Sequence, residues 1–203
     1  MENPLRSVLN KQNLVVQLYG LPGTYKTTFL VQLIRKKLEE GVYNIFLIDT
    51  SSNFPIVRLK SIKHLLQNLV VFQPKTLEEE ALLLDDLNIQ LLSPDSVLLI
   101  DDVFRHTDLK DQGKFHLNSY ILALIKIISK TVNFPIIITN QARSFDNSIR
   151  PFLQSLTLQY IDWHFLFEKI RDPHKILVSF FDRDGYVSQI EQTIDSSGFF
   201  TAI

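Results

Sequence analysis

The stretch GLPGTYKTT, residues 20–28, has residue types and a spacing that suit the binding of phosphate. Loops of this kind have a glycine, four further residues and then Gly-Lys-Ser/Thr. Main-chain N–H groups at the start of the following helix bind the phosphates, and the lysine reaches the β- and γ-phosphates. Lys26 takes the lysine position, and Thr27 supplies the hydroxyl that binds Mg²⁺ in such loops. The sequence therefore predicts a site for ATP and Mg²⁺.

Position 25 departs from the pattern, because Tyr25 replaces the second glycine. The main chain makes the phosphate contacts, so a side chain here must leave the phosphate pocket or lie against a neighbouring element. Glycine is preferred where the backbone needs unusual dihedral angles, but a tyrosine is tolerable if the position is already α-helical. We expect nucleotide binding to survive at equal or lower affinity, with a degenerate, empty loop as the alternative. The predicted nucleotide-binding residues are Gly20, Leu21, Pro22, Gly23, Thr24, Tyr25, Lys26, Thr27 and Thr28.

The segment SVLLIDD, residues 96–102, is an apolar strand that ends in two acidic residues. In proteins with this type of phosphate-binding loop, an acid in that place holds Mg²⁺, and Asp101 fits the role. Two roles are open for Asp102, which follows directly. It either polarises the attacking water or caps the segment that comes next.

Five short, almost continuously apolar segments rich in valine and isoleucine recur along the chain. This composition is typical of strands that are buried on both faces of a sheet. Helical patterns occupy residues 26–40, 76–92 and 116–131, and the alternation of strands with helices favours a parallel sheet flanked by helices. The predicted strands are residues 13–20, 43–50, 69–73, 96–102 and 134–140.

The last third of the chain has a different pattern. The segments QYIDWHFLFEKI, KILVSFFD and YVSQIEQT follow one another with only RDPH and RDG between them, which indicates hairpins. We therefore expect an α/β fold, a mostly parallel sheet flanked by helices that ends in antiparallel C-terminal strands. We expect residues 1–203 to form a single domain.

Composition narrows the classes of protein further. Hydrophobic residues make up 45% and charged residues 21%, which is typical of a globular chain, and the absence of cysteine excludes disulfides and thiolate metal sites. The net charge is −1, so binding of nucleic acid would need a local basic patch. No signal-peptide pattern is visible, and no apolar run reaches the roughly 18 residues of a membrane span. We expect a cytoplasmic protein with no membrane contact.

Several separated segments together resemble the RecA/RadA-type recombinases. They are GLPGTYKTT, IFLIDTSSNFPIVRL, VLLIDDVFRH, NFPIIITNQ and DRDGYVSQIEQTIDSSGFFTA. Their order is that of the family, and the chain resembles an archaeal RadA/RadB-like paralogue reduced to the ATPase core. The resemblance implies a RecA-like P-loop NTPase core that binds ATP and Mg²⁺ and acts on single-stranded DNA in recombination or repair. It assigns the nucleotide to residues 20–28 and Mg²⁺ to Thr27 and Asp101.

The resemblance also assigns catalytic roles and reveals one departure. Gln141 resembles the glutamine that senses the γ-phosphate, and the alternative is an amide that only ends a strand. The glutamate that activates water in the family is replaced by Ser51. A hydroxyl cannot replace a carboxylate as general base, so hydrolysis should be slow unless Asp102 takes over. The predicted catalytic residues are therefore Lys26, Asp102 and Gln141.

Two segments of the family contact DNA, one after the Mg²⁺ acid and one after the glutamine. Their counterparts here are residues 104–116 and 142–152, and the second interleaves basic residues with Phe145 and Phe152. Arginine and aromatic side chains can hold phosphates and stack on bases. The alternative is two solvated loops. The predicted DNA-binding residues are Arg105, Lys110, Lys114, Arg143 and Arg150.

Two classes of function follow from these features. The first is an ATP-binding recombinase paralogue with weak or no hydrolysis, whose partners are single-stranded DNA and the main recombinase or other repair proteins. The second is a non-catalytic interaction subunit with a degenerate P-loop, which Tyr25 and Ser51 favour. A small P-loop kinase is less consistent with the sequence, because no arginine-rich lid follows Asp101.

Overall fold

The computed structural model describes residues 4–42, 44–87, 91–108, 110–146, 148–195 and 200. Residues 1–3, 43, 88–90, 109, 147, 196–199 and 201–203 lie outside the described residues, and several of them fall in predicted segments. The α-helices are α1 (Pro4–Leu9), α2 (Lys26–Glu39), α3 (Leu77–Asp86), α4 (Gln112–Ile128) and α5 (Gln154–Tyr160). The strands are β1 (Val15–Gly20), β2 (Ile45–Asp49), β3 (Leu69–Phe72), β4 (Val97–Asp101), β5 (Ile136–Phe145), β6 (Ser148–Pro151), β7 (Trp163–Lys169), β8 (Lys175–Asp182) and β9 (Gly185–Thr193).

The described strands form one sheet in the order β3-β2-β4-β5-β1-β7-β8-β9, with β6 paired to β5. Every pair from β3 to β7 along this order is parallel, whereas β8 and β9 are antiparallel to their neighbours. The predicted α/β architecture with antiparallel C-terminal strands is confirmed. Each apolar segment predicted as a strand contains one, and β5 continues five residues beyond its predicted end.

The sheet is covered on both faces because its strands are apolar on both faces. In β2, Ile45 and Leu47 belong to the cluster beneath α2, while Phe46 and Ile48 belong to the cluster formed with α3 and α4. This alternation follows from the two-residue period of a strand. A 3₁₀ segment, Ile56–Asn68, contacts α2.

Two sequence interpretations are corrected by the structure. Residues 142–152 were expected as a loop, but most of them form an antiparallel hairpin in which Arg143 faces Arg150. Helix α4 begins at Gln112, four residues earlier than predicted, because the Asp111 carboxylate accepts hydrogen bonds from the N–H groups of Gly113 and Lys114. Lys114 therefore lies in a helix.

No helix in the described part of the chain is both long and apolar enough to cross a membrane. The longest described helix is α4, and it packs against the sheet through Ile121, Leu122 and Ile125. Its apolar face is therefore used in the core.

Glu80 is an unusual member of the core. It lies in the first turn of α3 with no exposed surface, and neither carboxyl oxygen has a hydrogen-bond partner among the described residues. Burial raises the pKa of Glu80 well above its usual range, and the negative charge of Asp102 raises it further. The folded protein therefore holds this side chain in its neutral form.

The substitution Glu80→Gln should stabilise the protein more at pH 8 than at pH 5. Above the unfolded-state pKa the unfolded chain releases the proton while the folded chain retains it, so raising the pH favours unfolding. Each pH unit between the two pKa values costs about 1.4 kcal/mol of unfolding free energy, and the glutamine variant escapes this loss. Chemical denaturation at several pH values measures the difference.

Glu78→Gln is the matched control, since Glu78 lies in the same helical turn and is exposed. It should leave the pH dependence of the free energy of unfolding unchanged. A stability difference between Glu80→Gln and the unmodified protein that stays constant with pH would show that Glu80 is not held neutral.

Candidate nucleotide site

The predicted site residues meet at one edge of the sheet. Gly20 ends β1 and lies beside Gln141 of β5, and Asp49 ends β2 and lies beside Asp101 of β4. The carboxyl ends of parallel strands share one edge, which is where ligands bind in sheets of this type. The structure therefore brings together residues that are up to 121 positions apart, from Gly20 to Gln141.

The start of the loop depends on a glycine for steric reasons. A Cβ atom on Gly20 would lie 2.4 Å from the carbonyl oxygen of Phe167 and 2.7 Å from Thr24 Oγ1. The Thr24 hydroxyl donates a 2.9 Å hydrogen bond to the Leu21 carbonyl, which closes the turn. The loop thus packs against β7 so closely that any side chain at position 20 would displace it.

Tyr25 adopts a left-handed conformation, with φ 66° and ψ 15°, and precedes the first residue of α2. Position 25 is therefore not α-helical, and the condition under which a tyrosine would fit without strain is not met. A non-glycine residue in this region costs roughly 1–2 kcal/mol. The ring packs against the apolar cluster that contains Phe29, and Lys169 Nζ lies 5.9 Å from the ring centroid. Tyr25 accordingly contributes its main chain to the loop and its side chain to packing beside β7.

Lys26 folds over the loop that it follows. Its Nζ donates to the carbonyl oxygens of Gly20 and Leu21 at 2.8 and 3.1 Å, and to Thr24 Oγ1 at 3.3 Å. Burial lowers the pKa of Lys26 to about 8, and the carboxylates of Asp101 and Asp102 act in the opposite direction. A cation therefore already lies within the curve of the loop where the motif places phosphate.

Asp101 is held by two hydroxyl groups. Thr27 Oγ1 lies 3.1 and 3.2 Å from its carboxyl oxygens, and Thr139 Oγ1 donates to it at 2.6 Å. Burial raises the pKa of Asp101, and the hydrogen bonds from Thr139 and Thr27 oppose that rise. A hydroxyl beside a buried carboxyl is the donor set that Mg²⁺ takes in phosphate-bound sites, where it keeps several waters.

The described residues hold no cluster of three or more His, Cys, Asp or Glu side chains placed to bind a metal ion. A site made by Thr27 and Asp101 would thus depend on phosphate and water for its remaining ligands. The residues present fit nucleotide-dependent binding of Mg²⁺ better than binding of a free metal ion.

Asp102 and Gln141 are directly connected. Gln141 Nε2 donates to Asp102 Oδ2 at 3.0 Å, and the Asp102 N–H donates to Thr139 Oγ1 at 2.8 Å. Asp102 has φ 66°, an uncommon conformation for aspartate that this network holds. Its carboxylate therefore contacts the neighbouring strand β5 through Gln141.

Ser51 lies in the turn that follows β2, beside the site. Its hydroxyl donates at 2.9 Å to Asp49 Oδ1, and Asp49 Oδ2 accepts from the Phe54 N–H and from Gln73 Nε2, each at 3.0 Å. The hydroxyl of Ser51 is thus used to hold the turn after β2. This arrangement agrees with the expectation that Ser51 cannot act as a general base.

Three polar residues at this edge of the sheet are not among the site residues predicted from the sequence. Asp49 appears in the segment IDT, and Thr139 lies two residues before Gln141, so both positions carried a signal. Arg58 had no local signal. Its Nη1 donates at 2.9 Å to Thr28 Oγ1, which places a guanidinium group beside the first turn of α2.

The arginines of the β5–β6 hairpin lie over aromatic rings. The Arg143 guanidinium is 4.7 Å from the centroid of Phe152, and that of Arg150 is 5.2 Å from the centroid of Phe145. The hairpin joins the nucleotide edge at its base, because the Phe152 N–H donates to the Gln141 carbonyl at 2.9 Å. The predicted interleaving of cations and rings is therefore a set of contacts within one hairpin.

The other predicted DNA-binding residues lie in two places. Arg105 is exposed in the turn after Asp102 and shares a cavity with Arg143. Lys110 is exposed before α4, and Lys114 is half-buried in its first turn; neither lines that cavity. The structure thus brings Arg105 and Arg143 together and leaves the two lysines apart from them.

One family model and several known proteins match this chain in sequence. The NB-ARC domain family matches residues 2–119, which include the loop at 20–28 and the acid pair at 101–102. The chain is similar to the DNA repair and recombination protein RadB of Methanococcus maripaludis, with 29% identity over 166 residues and 74% of each chain covered. It is also similar to RadB of Pyrococcus abyssi, with 26% identity over 171 residues, 79% of this chain and 72% of that protein.

Solved structures show the same fold. A crystal structure of the RadB recombinase aligns with a TM-score of 0.76 at 17% identity, over 96% of this chain and 94% of that one. A DnaB-like replicative helicase aligns with a TM-score of 0.67 at 14% identity, over 94% of this chain and 57% of the helicase. The expected RecA-like core is confirmed, and this fold implies use of a nucleotide and Mg²⁺. The chain therefore belongs to the P-loop NTPases, as the NB-ARC match over more than half its length shows, and its similarity to the RadB proteins supports a relationship to the RecA/RadA-type recombinases.

Proposed function

We propose that this chain is an ATP-binding recombinase paralogue that assists or regulates DNA recombination and repair, with slow hydrolysis. Residues 1–203 act as one ATPase core in this proposal. The observation that carries it is the position of Lys26, whose ammonium lies in the curve of the phosphate-binding loop beside the Thr27–Asp101 pair. The relatives named DNA repair and recombination protein RadB support the assignment to repair.

Nucleotide binding begins with the loop itself. Main-chain N–H groups of the loop would bind the phosphates, and Lys26 would exchange the carbonyls of Gly20 and Leu21 for phosphate oxygens. Thr27 and Asp101 would hold Mg²⁺, which would supply neutralisation of the phosphate charge. Because the Lys26 ammonium already lies within the loop, 2.8 Å from the Gly20 carbonyl oxygen, little rearrangement of its side chain is needed.

Hydrolysis is slow in this proposal because the strongest candidate base is occupied. Ser51 offers a hydroxyl that is bonded to Asp49, so Asp102 is the carboxylate left to polarise water. Asp102 Oδ2 accepts a hydrogen bond from Gln141 Nε2, so this oxygen is already engaged and does not orient a water. Turnover then requires that Gln141 leave Asp102.

The same hydrogen bond makes Gln141 a switch. A γ-phosphate beside Lys26 offers the Gln141 amide an alternative acceptor, and the amide would then release Asp102. The Gln141 carbonyl holds the Phe152 N–H, so a shift of Gln141 is passed to the hairpin that carries Arg143 and Arg150. DNA bound by this hairpin and ATP would affect each other reciprocally.

A non-catalytic interaction subunit is the competing proposal. The left-handed Tyr25 favours it, because the loop carries strain that a glycine would relieve. Stabilisation by ATP separates the two, since a ligand that binds only the folded state raises the melting temperature.

Lys26→Ala should abolish stabilisation by ATP and Mg²⁺. At one hundred times the dissociation constant, a ligand adds about 2.7 kcal/mol of stability, which is several degrees in melting temperature for a chain of this size. Thermal denaturation with and without ATP measures it. Lys60→Ala, an exposed lysine in the 3₁₀ segment, is the control and should keep the shift. An unchanged shift in Lys26→Ala would contradict the site.

Asp102→Asn should remove the residual ATPase activity, by roughly 10²-fold or more, because it deletes the proposed base. Phosphate release under saturating ATP is the measurement. Asp95→Asn, at an exposed position before β4, should have no effect. Rapid hydrolysis that is insensitive to Asp102→Asn would refute the proposed mechanism.

Arg143→Ala should weaken binding of single-stranded DNA and reduce the slope of log affinity against log salt by about one. Fluorescence anisotropy over a salt series gives both values. Lys130→Ala is the control, because Lys130 is exposed after the end of α4, at the opposite edge of the sheet. Affinity that responds neither to salt nor to Arg143→Ala would place DNA elsewhere.

A further inference from the structure

Phe200 is bound to helix α2 through its main chain. Gln32 Oε1 accepts a 2.8 Å hydrogen bond from the Phe200 N–H, and Gln32 Nε2 donates at 2.6 Å to the Phe200 carbonyl oxygen. One side-chain amide thus satisfies both main-chain groups of one residue, as a partner in an antiparallel sheet does. The contact joins residues 168 positions apart and places Phe200 beside the second turn of the helix that begins at Lys26.

The Phe200 side chain completes a cluster of three rings. Phe200 is 3% exposed, and its ring centroid lies 5.8 Å from that of Phe29 and 6.3 Å from that of Phe167. The rings of Phe29 and Phe167 are 5.7 Å apart, and all three pairs meet edge to face. Aromatic rings prefer this arrangement, so each ring helps to fix the other two. Phe200 therefore contacts both helix α2 and strand β7.

The two residues that the Phe200 ring contacts border the two ends of the phosphate-binding loop. Phe167 borders the start, because a Cβ atom on Gly20 would lie 2.4 Å from the Phe167 carbonyl oxygen. Phe29 borders the end, because its N–H donates at 2.9 Å to the Tyr25 carbonyl. The separation of the loop ends therefore depends on how closely Phe29 packs against Phe167.

We propose that Phe200 and Gln32 are positioning residues for the nucleotide. Phe200 holds Phe29 against Phe167, and this packing keeps the start of α2 and the end of β1 at the separation at which the loop binds phosphates. Gln32 holds Phe200 in place. Both residues act through the loop and make no contact with the nucleotide themselves. The inference rests on the proposed ATP binding and adds to it a dependence on a residue near the end of the chain.

Phe200→Ala and Gln32→Met test this role in the full chain. Alanine removes the ring, and methionine keeps a similar shape without the amide that binds the Phe200 main chain. Each variant should bind ATP and Mg²⁺ about five- to tenfold more weakly, at the lower end of the usual coupling between two sites. Calorimetric titration gives the affinity, at a temperature at which circular dichroism shows the variant to be folded. Gln32→Met decides if Phe200→Ala fails to fold, and an unchanged affinity in it would overturn the proposal.

Two further variants separate positioning from general stability. Phe200→Leu keeps an apolar side chain in place of the ring and should restore most of the affinity. Phe46→Ala removes a ring that is 7% exposed but lies in the cluster on the other face of the sheet, where it stacks on Phe72. It should lower the stability and leave the ATP affinity of the folded protein unchanged. A loss of affinity in Phe46→Ala equal to that in Phe200→Ala would assign the effect to general loosening and overturn the proposal.

Coupling between two sites is reciprocal, so ATP should in turn hold Phe200 more firmly. The Phe200 N–H reports this, because its exchange with deuterium requires its hydrogen bond to Gln32 to open. ATP and Mg²⁺ should slow this exchange, followed by NMR, more than the exchange of the Ile48 N–H in β2. Equal slowing at both positions would reflect global stabilisation alone and would overturn the coupling.

The failure of this inference differs from the failure of the proposed function. If the unmodified protein binds ATP and the Phe200 and Gln32 variants bind it equally well, the positioning role alone is removed. If the unmodified protein does not bind ATP, both are removed.

Discussion

The hydrogen bonds around Asp101 are the interaction on which the rest of the site depends. Its carboxyl group joins Thr27 at the start of α2 to Thr139 of β5, and the same Thr139 hydroxyl accepts from the N–H of Asp102. A helix and two strands are thus fixed relative to one another by one buried group. Buried polar groups keep such contacts because an unpartnered one is costly. Asp101 is also the sheet partner of Asp49, whose carboxylate accepts a hydrogen bond from Ser51. The turn after β2 is therefore fixed relative to the same group.

Tyr25 shows how the loop keeps its path without its second glycine. The main chain takes a left-handed conformation at Tyr25, and the ring packs against the apolar cluster near Lys169. Burial of part of an aromatic ring provides about 25 cal/mol for each Å² of apolar surface, which can offset strain of roughly 1–2 kcal/mol.

Gln141 lies where two proposed events meet. Its side chain contacts Asp102, while its carbonyl holds the base of the hairpin through Phe152. Asn140 is the residue before Gln141 in the strand. Its side-chain Nδ2 donates a hydrogen bond to the carbonyl oxygen of the same Phe152. Adjacent residues of a strand point to opposite faces, which is why neighbouring positions can contact the nucleotide edge and the hairpin separately. Coupling between ATP and DNA would therefore need only a small movement of one strand end.

The sequence by itself determined the parallel sheet, the antiparallel end of the chain, the phosphate-binding loop and the acid pair. Each of these features depends on neighbouring residues, either an apolar run or a fixed spacing of residue types. The local sequence pattern is therefore enough to predict it. Only the tertiary structure decided the conformation of Tyr25, because a backbone angle is set by what the loop packs against. It also decided that Glu80 is buried while Glu78 and Glu79 are exposed, since the packing of α3 against α4 selects one face among three consecutive acids. The contacts of Arg58 with Thr28 and of Gln73 with Asp49 join residues 30 and 24 positions apart, and such contacts arise only when the strands have brought their ends together.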